Sequence, residues 1–276
     1  MPTPDVSIVV PVFNEERSLP DLVREIGAAM AGVRSSYEMV FVDDGSTDGS
    51  RVVLRELASR DPRLRVVAMS RNSGQSAALA AGFRLARGAS VVTLDADLQN
   101  DPADIPTLLA ALDGVAVVSG VRRNRRDDWL RRVSSRIANG VRRSVLDDGV
   151  TDVGCSLKAY RSEYLRRIPA FNGFHRFLPA LIQMAGGSVR EVDVTHRPRV
   201  HGTSKYGVHN RLWRGLADLF GVRWMKRRWV DPFAAIEESI ACPSTSSGSE
   251  SASSDKPSSP LVSSSSGSPP SAASRA

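Results

Sequence analysis

The chain has 276 residues, 41% of them hydrophobic, enough for one or two globular domains with a real core. Its 37 Lys and Arg outnumber 30 Asp and Glu for a net charge of +7, and the excess gathers in residues 122–143 and 205–228. Such a basic half calls for an anionic partner: nucleic acid, an acidic membrane surface or a phosphorylated substrate. Residues 1–5 carry no secretion signal, no window approaches the roughly 18 uncharged apolar residues of a membrane span, and Cys155 and Cys242 lack metal-ligand spacing. A reduced, cytosolic setting is the expectation.

The apolar run VSIVVPV at 6–12 predicts a strand covered on both faces. Leu19, Leu22, Val23, Ile26 and Met30 share a face of a helix expected over 15–31. Strands are expected at 37–42, 64–69, 91–94 and 115–121, alternating with helices at 48–59, 74–86 and 103–112. Asp101-Pro102 reads as an N-cap followed by Pro at the first helical position. This rhythm predicts the α/β class, with a mostly parallel, doubly wound sheet whose ligands sit at the carboxyl ends of its strands. The second half is less regular. It predicts a basic helix over 129–145, a strand at 157–160, a helix over 174–184, a strand at 189–196 and a basic, Trp-bearing helix over 208–229. From residue 239 a Ser/Pro/Ala-rich composition predicts a disordered tail, 239–276, and leaves a folded domain of 4–232.

The strand ends carry the chemistry. The first ends in PVFNEE, the second in VDDGSTDGS, the third in SRN and the fourth in DADLQ. Three of the four deliver carboxylates to one edge, where they repel unless a cation or donors hold them. In DADLQ, Asp95, Asp97 and Gln99 alternate with Ala96 and Leu98, so an extended segment would point all three to one side. Two carboxylates and an amide carbonyl suit Mg²⁺ or Mn²⁺, which share their remaining shell with phosphates. An EF-hand is excluded because Asn100 stands at the sixth position, where its loop needs Gly. The first strand is followed by neither a Walker loop nor GxGxxG. What remains is a nucleotide-sugar site. The four histidines, His175, His196, His201 and His209, lack metal-ligand spacing; His201 stands apart only for its place inside RVHGTSKYG.

PVFNEE, VDDGSTDGS, SRNSGQSAALAAG, DADLQNDP, VGCSLKAYR and HGTSKYG together resemble a family 2 glycosyltransferase with the GT-A fold, a Rossmann-like, mostly parallel sheet flanked by helices. More narrowly they resemble the polyprenol-phosphate sugar transferases. The resemblance divides the domain into a nucleotide-sugar half, 4–121, an acceptor half, 122–207, and an interfacial basic helix at about 208–229. It implies that Pro11, Phe13, Asn14, Glu15, Asp43 and Asp44 hold the nucleoside, with Arg71 near the base. Phe13 replaces the usual Tyr, which keeps ring stacking and loses a hydroxyl contact. Asp95, Asp97 and Gln99 would carry the metal. Arg122, Arg131 and Ser135 would bind the lipid phosphate, with Arg199 and Lys205 completing the anion site. Asp152 matches an acidic position assigned in some relatives as a base; a turn residue is the other reading.

The implied reaction is metal-dependent, inverting transfer of a sugar from a UDP- or GDP-sugar to polyprenyl phosphate. A phosphate monoester, with a second pKa near 6, is already an ionised nucleophile, so it needs positioning and charge neutralisation more than a base. The basic helix, with Leu212, Trp213, Leu216, Leu219, Phe220 and Trp224 at helical spacing, would lie on anionic lipid. That places the protein peripherally on the cytoplasmic face, alone or with a separate integral-membrane partner. One alternative is transfer to a glycan or lipopolysaccharide hydroxyl, which needs a true base. A nucleic-acid-binding protein would explain the arginines and leave DADLQ without a purpose, so no nucleic-acid partner is expected.

Overall fold

The computed structural model describes residues 3–122, 140, 142, 145–146, 148–198 and 209–230. Two compact units divide the chain, Met1–Pro232 and Phe233–Ala276, and all described residues belong to the first. Arg131, Ser135, Arg199, His201, Lys205, the tail 239–276 and most of the helix expected over 129–145 lie outside the described residues.

Seven strands form one sheet: β1 (Val6–Val12), β2 (Tyr37–Asp43), β3 (Leu64–Ala68), β4 (Ser90–Thr93), β5 (Val117–Val121), β6 (Lys158–Arg161) and β7 (Val189–Asp193). Their order is β3-β2-β1-β4-β6-β5-β7. The pairs β3–β2, β2–β1, β1–β4 and β5–β7 are parallel, and only β6 runs against its neighbours. The chain winds outward from β1 to β3, then returns to β4 on the other side of β1. The crevice beyond β1 and β4 is therefore the switch point where doubly wound sheets bind ligands.

Side-chain alternation divides the core into two layers. Ile8, Val10, Phe41 and Val92 meet α1 (Leu19–Met30), α2 (Ser50–Arg60) and α4 (Ile105–Ala111) on one face. Val9, Val40, Val91 and Tyr160 meet α3 (Gln75–Leu85), α6 (Leu178–Met184) and α7 (His209–Arg228) on the other. A four-residue α5 (Ser162–Leu165) follows β6.

Two expectations need correcting. The first helix begins at Leu19, not residue 15, because Asn14 adopts a left-handed φ of 56° and residues 16–18 form a turn. DADLQ is not an extended continuation of β4. The strand stops at Thr93 and the chain turns through residues 96–98, with Leu98 left-handed at φ 60° and buried. For a branched residue that backbone costs about 1–2 kcal/mol. Asp95 and Asp97 come together through a turn, so the alternation argument does not hold. The Asp101 cap is present: its carboxylate accepts from Ala103 N at 3.0 Å with Pro102 at N1, although the first turn it opens is a 3₁₀ turn.

Candidate active site

A cleft of about 270 Å³ opens beyond the carboxyl ends of β1 and β4. Pro11 and Asp95 line it from the strand ends, Gln75 from the first turn of α3, and residues 153–156 from the loop before β6.

The crowded strand-end carboxylates have divergent fates. Asp43, fully buried, accepts from Arg51 Nε at 2.6 Å and from Ser46 N at 3.0 Å. Asp44 accepts from Ser73 N at 2.7 Å and Gly74 N at 2.8 Å, supplying at a distance the cap that the N-terminus of α3 lacks locally. Gly45, at φ 69°, lets the β3–α3 loop come close, since a Cβ there would meet Asn72 N at 2.5 Å. Both aspartates expected at the nucleoside are thus held by protein donors. Asn14 spends its side chain similarly, accepting from Thr47 N at 2.8 Å and donating to Thr47 Oγ1 at 3.1 Å. Phe13 and Glu15 are half-buried beside it, and Arg71 lies exposed beyond β3.

Asp95 and Asp97 are treated differently. Asp95 accepts from Gln75 Nε2 at 2.9 Å and faces the cleft. Burial, and secondarily the Asp97 carboxylate, push its carboxyl above the ordinary value. Asp97 is buried in the turn and accepts from Gln99 N at 3.2 Å. Gln99 is half-buried, and its carbonyl receives Arg197 N at 2.8 Å, which ties the turn to the chain leaving β7.

The loop before β6 is held by an ion pair. Arg122, just past β5, donates to both oxygens of Asp152, Nε to Oδ2 at 2.8 Å and a terminal nitrogen to Oδ1 at 2.9 Å. Both side chains are about nine-tenths buried, 11% and 10% exposed. Burial opposes the guanidinium's charge, but the Asp152 bonds outweigh it and raise its pKa. The fork sits against Gly154, where a Cβ would fall 2.9 Å from the guanidinium. The 152–156 loop is also pinned by Ser156, whose hydroxyl donates to Asn100 at 2.7 Å and whose carbonyl accepts from Thr93 at 2.7 Å.

The glycosyl transferase family 2 profile matches residues 7–169. The chain belongs to that family. Among curated proteins it is 40% identical over 234 residues to dodecaprenyl-phosphate galacturonate synthase of Rhizobium johnstonii, covering 83% of this chain and 69% of the relative. It is 44% identical over 206 residues to undecaprenyl-phosphate 4-deoxy-4-formamido-L-arabinose transferase of Edwardsiella ictaluri, covering 74% and 63%. It is 46% identical over 204 residues to the enzyme of that name from Pseudomonas fluorescens, covering 73% and 60%. The chain thus spans roughly two thirds of the length of these relatives. Among solved structures, glucosyl-3-phosphoglycerate synthase from Mycobacterium tuberculosis, in complex with Mn²⁺, UDP and phosphoglyceric acid, superposes with a TM-score of 0.61 at 21% identity, over 81% of this chain and 78% of that one. The shared architecture is the GT-A fold.

The cleft of this family 2 chain also holds residues that sequence reading passed over. Lys158 opens β6, is 2% exposed, and donates to the carbonyls of Val153 (3.3 Å) and Cys155; burial lowers its pKa. A lone cation in the apolar stretch LKAY was the available signal. His175 and Arg176 close the cleft from the turn before α6, with His175 Nδ1 2.8 Å from Ser76 Oγ. Nothing in their local sequence marks them, because α3 reaches that turn only in the folded chain.

Proposed function

We propose that this protein transfers a sugar from a UDP- or GDP-sugar to a polyprenyl phosphate at the cytoplasmic face of a membrane. The observation that carries the reading is the Arg122–Asp152 fork beside Asp95. A carboxylate held by two charge-assisted hydrogen bonds is a poor general base, because protonation would break both. A hydroxyl acceptor needs such a base; a phosphate acceptor brings its own negative oxygen and needs cations. The names of the relatives, which use dodecaprenyl and undecaprenyl phosphates, support the same acceptor.

Among the described residues no group of three or more His, Cys, Asp and Glu is placed to hold a metal. Two carboxylates remain, Asp95 and Asp97, whose mutual repulsion a cation would relieve. This donor set fits Mg²⁺ or Mn²⁺ completing its shell with diphosphate oxygens and Gln99. When bound, the metal stabilises the charge that develops on the departing diphosphate. The protein's share is placement: Gln75 orients Asp95, Asn100 and Ser156 fix the wall opposite, and Arg122 presents positive charge to the acceptor side. Arg131, Ser135, Arg199 and Lys205 would add to that anion site. Single displacement from the face opposite the diphosphate would invert the anomeric centre.

No helix among the described residues is long and apolar enough to cross a membrane. Helix α7 instead offers a surface. Leu219 and Val222 are buried in the core, whereas Phe220 and Trp224 are 63% and 62% exposed on a stripe continued by exposed Arg227 and Arg228. Arg223 and Lys226 do not join it, since they donate to the carbonyls of Val145 and Leu146.

The test is a transfer assay with undecaprenyl phosphate, Mg²⁺ or Mn²⁺, and radiolabelled UDP- and GDP-sugars. The expected product is organic-extractable and labile to mild acid, and is lost in Asp97→Ala and Arg131→Ala. Label passing only into water-soluble glycan would replace this reading with the hydroxyl acceptor.

A further inference from the structure

The cleft that Asp95 lines is also lined by Leu79 of α3, Leu178 of α6, and two residues of one face of β6, Lys158 and Tyr160. Neither β6 group is saturated by the protein. The Lys158 ammonium has three N–H donors, and two go to the carbonyls of Val153 and Cys155. The Tyr160 hydroxyl is fully buried and has no hydrogen-bond partner. Its polar neighbour, Thr93, gives its own proton to the Ser156 carbonyl. A buried donor left unmade costs about 1–3 kcal/mol, and a native structure keeps one where something else completes it. Phe83 meets the Tyr160 ring edge-on at 6.0 Å, and Leu79 and Leu178 supply apolar lining to the same cleft.

From these two incomplete donors on one face of one strand, inside one cleft, we infer that Lys158 and Tyr160 form the floor of the sugar subsite. They contact the transferred sugar and select it by its acceptor oxygens. Leu79 and Leu178 exclude water from the ring's apolar face, so a sugar lacking the matched oxygen leaves a buried donor unpaired. Discrimination of this kind, by hydrogen bond to a specific oxygen, is stronger than discrimination by size. The inference rests on the nucleotide-sugar reading of the cleft but not on the identity of the acceptor.

The test is calorimetric, on the full chain with Mg²⁺ or Mn²⁺. It compares the affinity of bare UDP and GDP with that of their sugar conjugates in the native protein, Tyr160→Phe and Lys158→Met. Tyr160→Phe keeps the ring packing, so folding is preserved; thermal melts monitor Lys158→Met. The expected result is about a fivefold loss of affinity for the preferred nucleotide-sugar in Tyr160→Phe. Bare nucleotide should stay within twofold, and the preference among sugars should flatten. Unchanged affinity for every conjugate, or an equal loss for the bare nucleotide, would overturn the inference. So would a native protein that binds all conjugates and the bare nucleotide alike. Sugar-dependent binding without transfer to polyprenyl phosphate would sink the acceptor reading alone and leave this one standing.

Discussion

Gly154 concentrates the residue-scale logic of the site. Its missing side chain is the space through which the Arg122 guanidinium reaches Asp152, and an added Cβ would stand 2.9 Å from a guanidinium nitrogen. The obstructed atom ends a flexible side chain, so Gly154→Ala should fold, with a melting temperature within a few degrees of native. The fork must nevertheless shift, and misplacing a positioned charge by about 1 Å costs on the order of 100-fold in rate. A large fall in kcat with an unchanged melting temperature is the expected outcome; Gly120→Ala, where a Cβ would meet the Leu157 carbonyl at 2.8 Å, should instead lose stability. A Gly154→Ala enzyme of full activity would mean that the fork is structural only. Arg122 and Asp152 were legible in the sequence through the motifs around them. Their pairing was not, because 30 residues separate them and only the β5–β6 pairing closes the gap. The left-handed Leu98 was illegible for a stronger reason: local preference opposes it, and tertiary bonds to Gln99 and Asn100 enforce it.

At the scale of elements, the parallel half of the sheet is locked at its rear by a single carboxylate. Glu38 on β2 accepts from Ser7 Oγ of β1 at 2.7 Å, from Arg87 N at 2.9 Å, and from Arg65 of β3 at 2.7 Å. Burial alone would raise its pKa; the bonds from Ser7, Arg87 and Arg65 outweigh it and hold the carboxyl below its ordinary value of 4.5. A depressed folded pKa contributes stability that is present above the unfolded value and lost as pH falls through the folded one. Glu38→Gln should therefore destabilise at neutral pH by about 1–3 kcal/mol in denaturant titrations. The gap to native should narrow steadily below pH 4.5, and a gap constant with pH would refute the role of the charge. The βα alternation that builds this half was legible because each strand is an apolar run and each helix an amphipathic one. Glu38 itself gave no sign, since alternation within YEMVFVD says nothing of the three strangers it meets. DADLQ misled for the converse reason: its alternation was real in sequence, but a turn fixed by Asn100 and His196 decided its shape.

For the whole molecule the question is how a domain whose described helices do not cross a membrane would meet the proposed lipid-linked acceptor. The candidate cleft opens at the carboxyl edge of the sheet, and α7 packs on the same face as α3 and α6, which line that cleft. A helix that buries Leu219 and Val222 gains core stability; one that also exposes Phe220 and Trp224 forgoes a further 2–3 kcal/mol per side chain unless another apolar phase receives them. Arg227 and Arg228 on the same stripe favour an anionic surface, over a Debye length of about 8 Å at physiological salt. Replacing Phe220 and Trp224 together by Ser should lower binding to phosphatidylglycerol vesicles by roughly 10- to 100-fold in co-sedimentation, with no loss of thermal stability. Changing Arg227 and Arg228 to Gln should weaken binding to anionic vesicles, remove its salt dependence, and leave neutral vesicles unaffected. Leu219→Ala should do the opposite, costing about 2–4 kcal/mol of stability because it opens a cavity in the core. Transfer to a short-chain, water-soluble polyprenyl phosphate separates the roles: the Ser variant should retain it while failing with the long-chain lipid in vesicles. Equal loss on both acceptors would place Phe220 and Trp224 in the chemistry of the cleft instead of on the membrane.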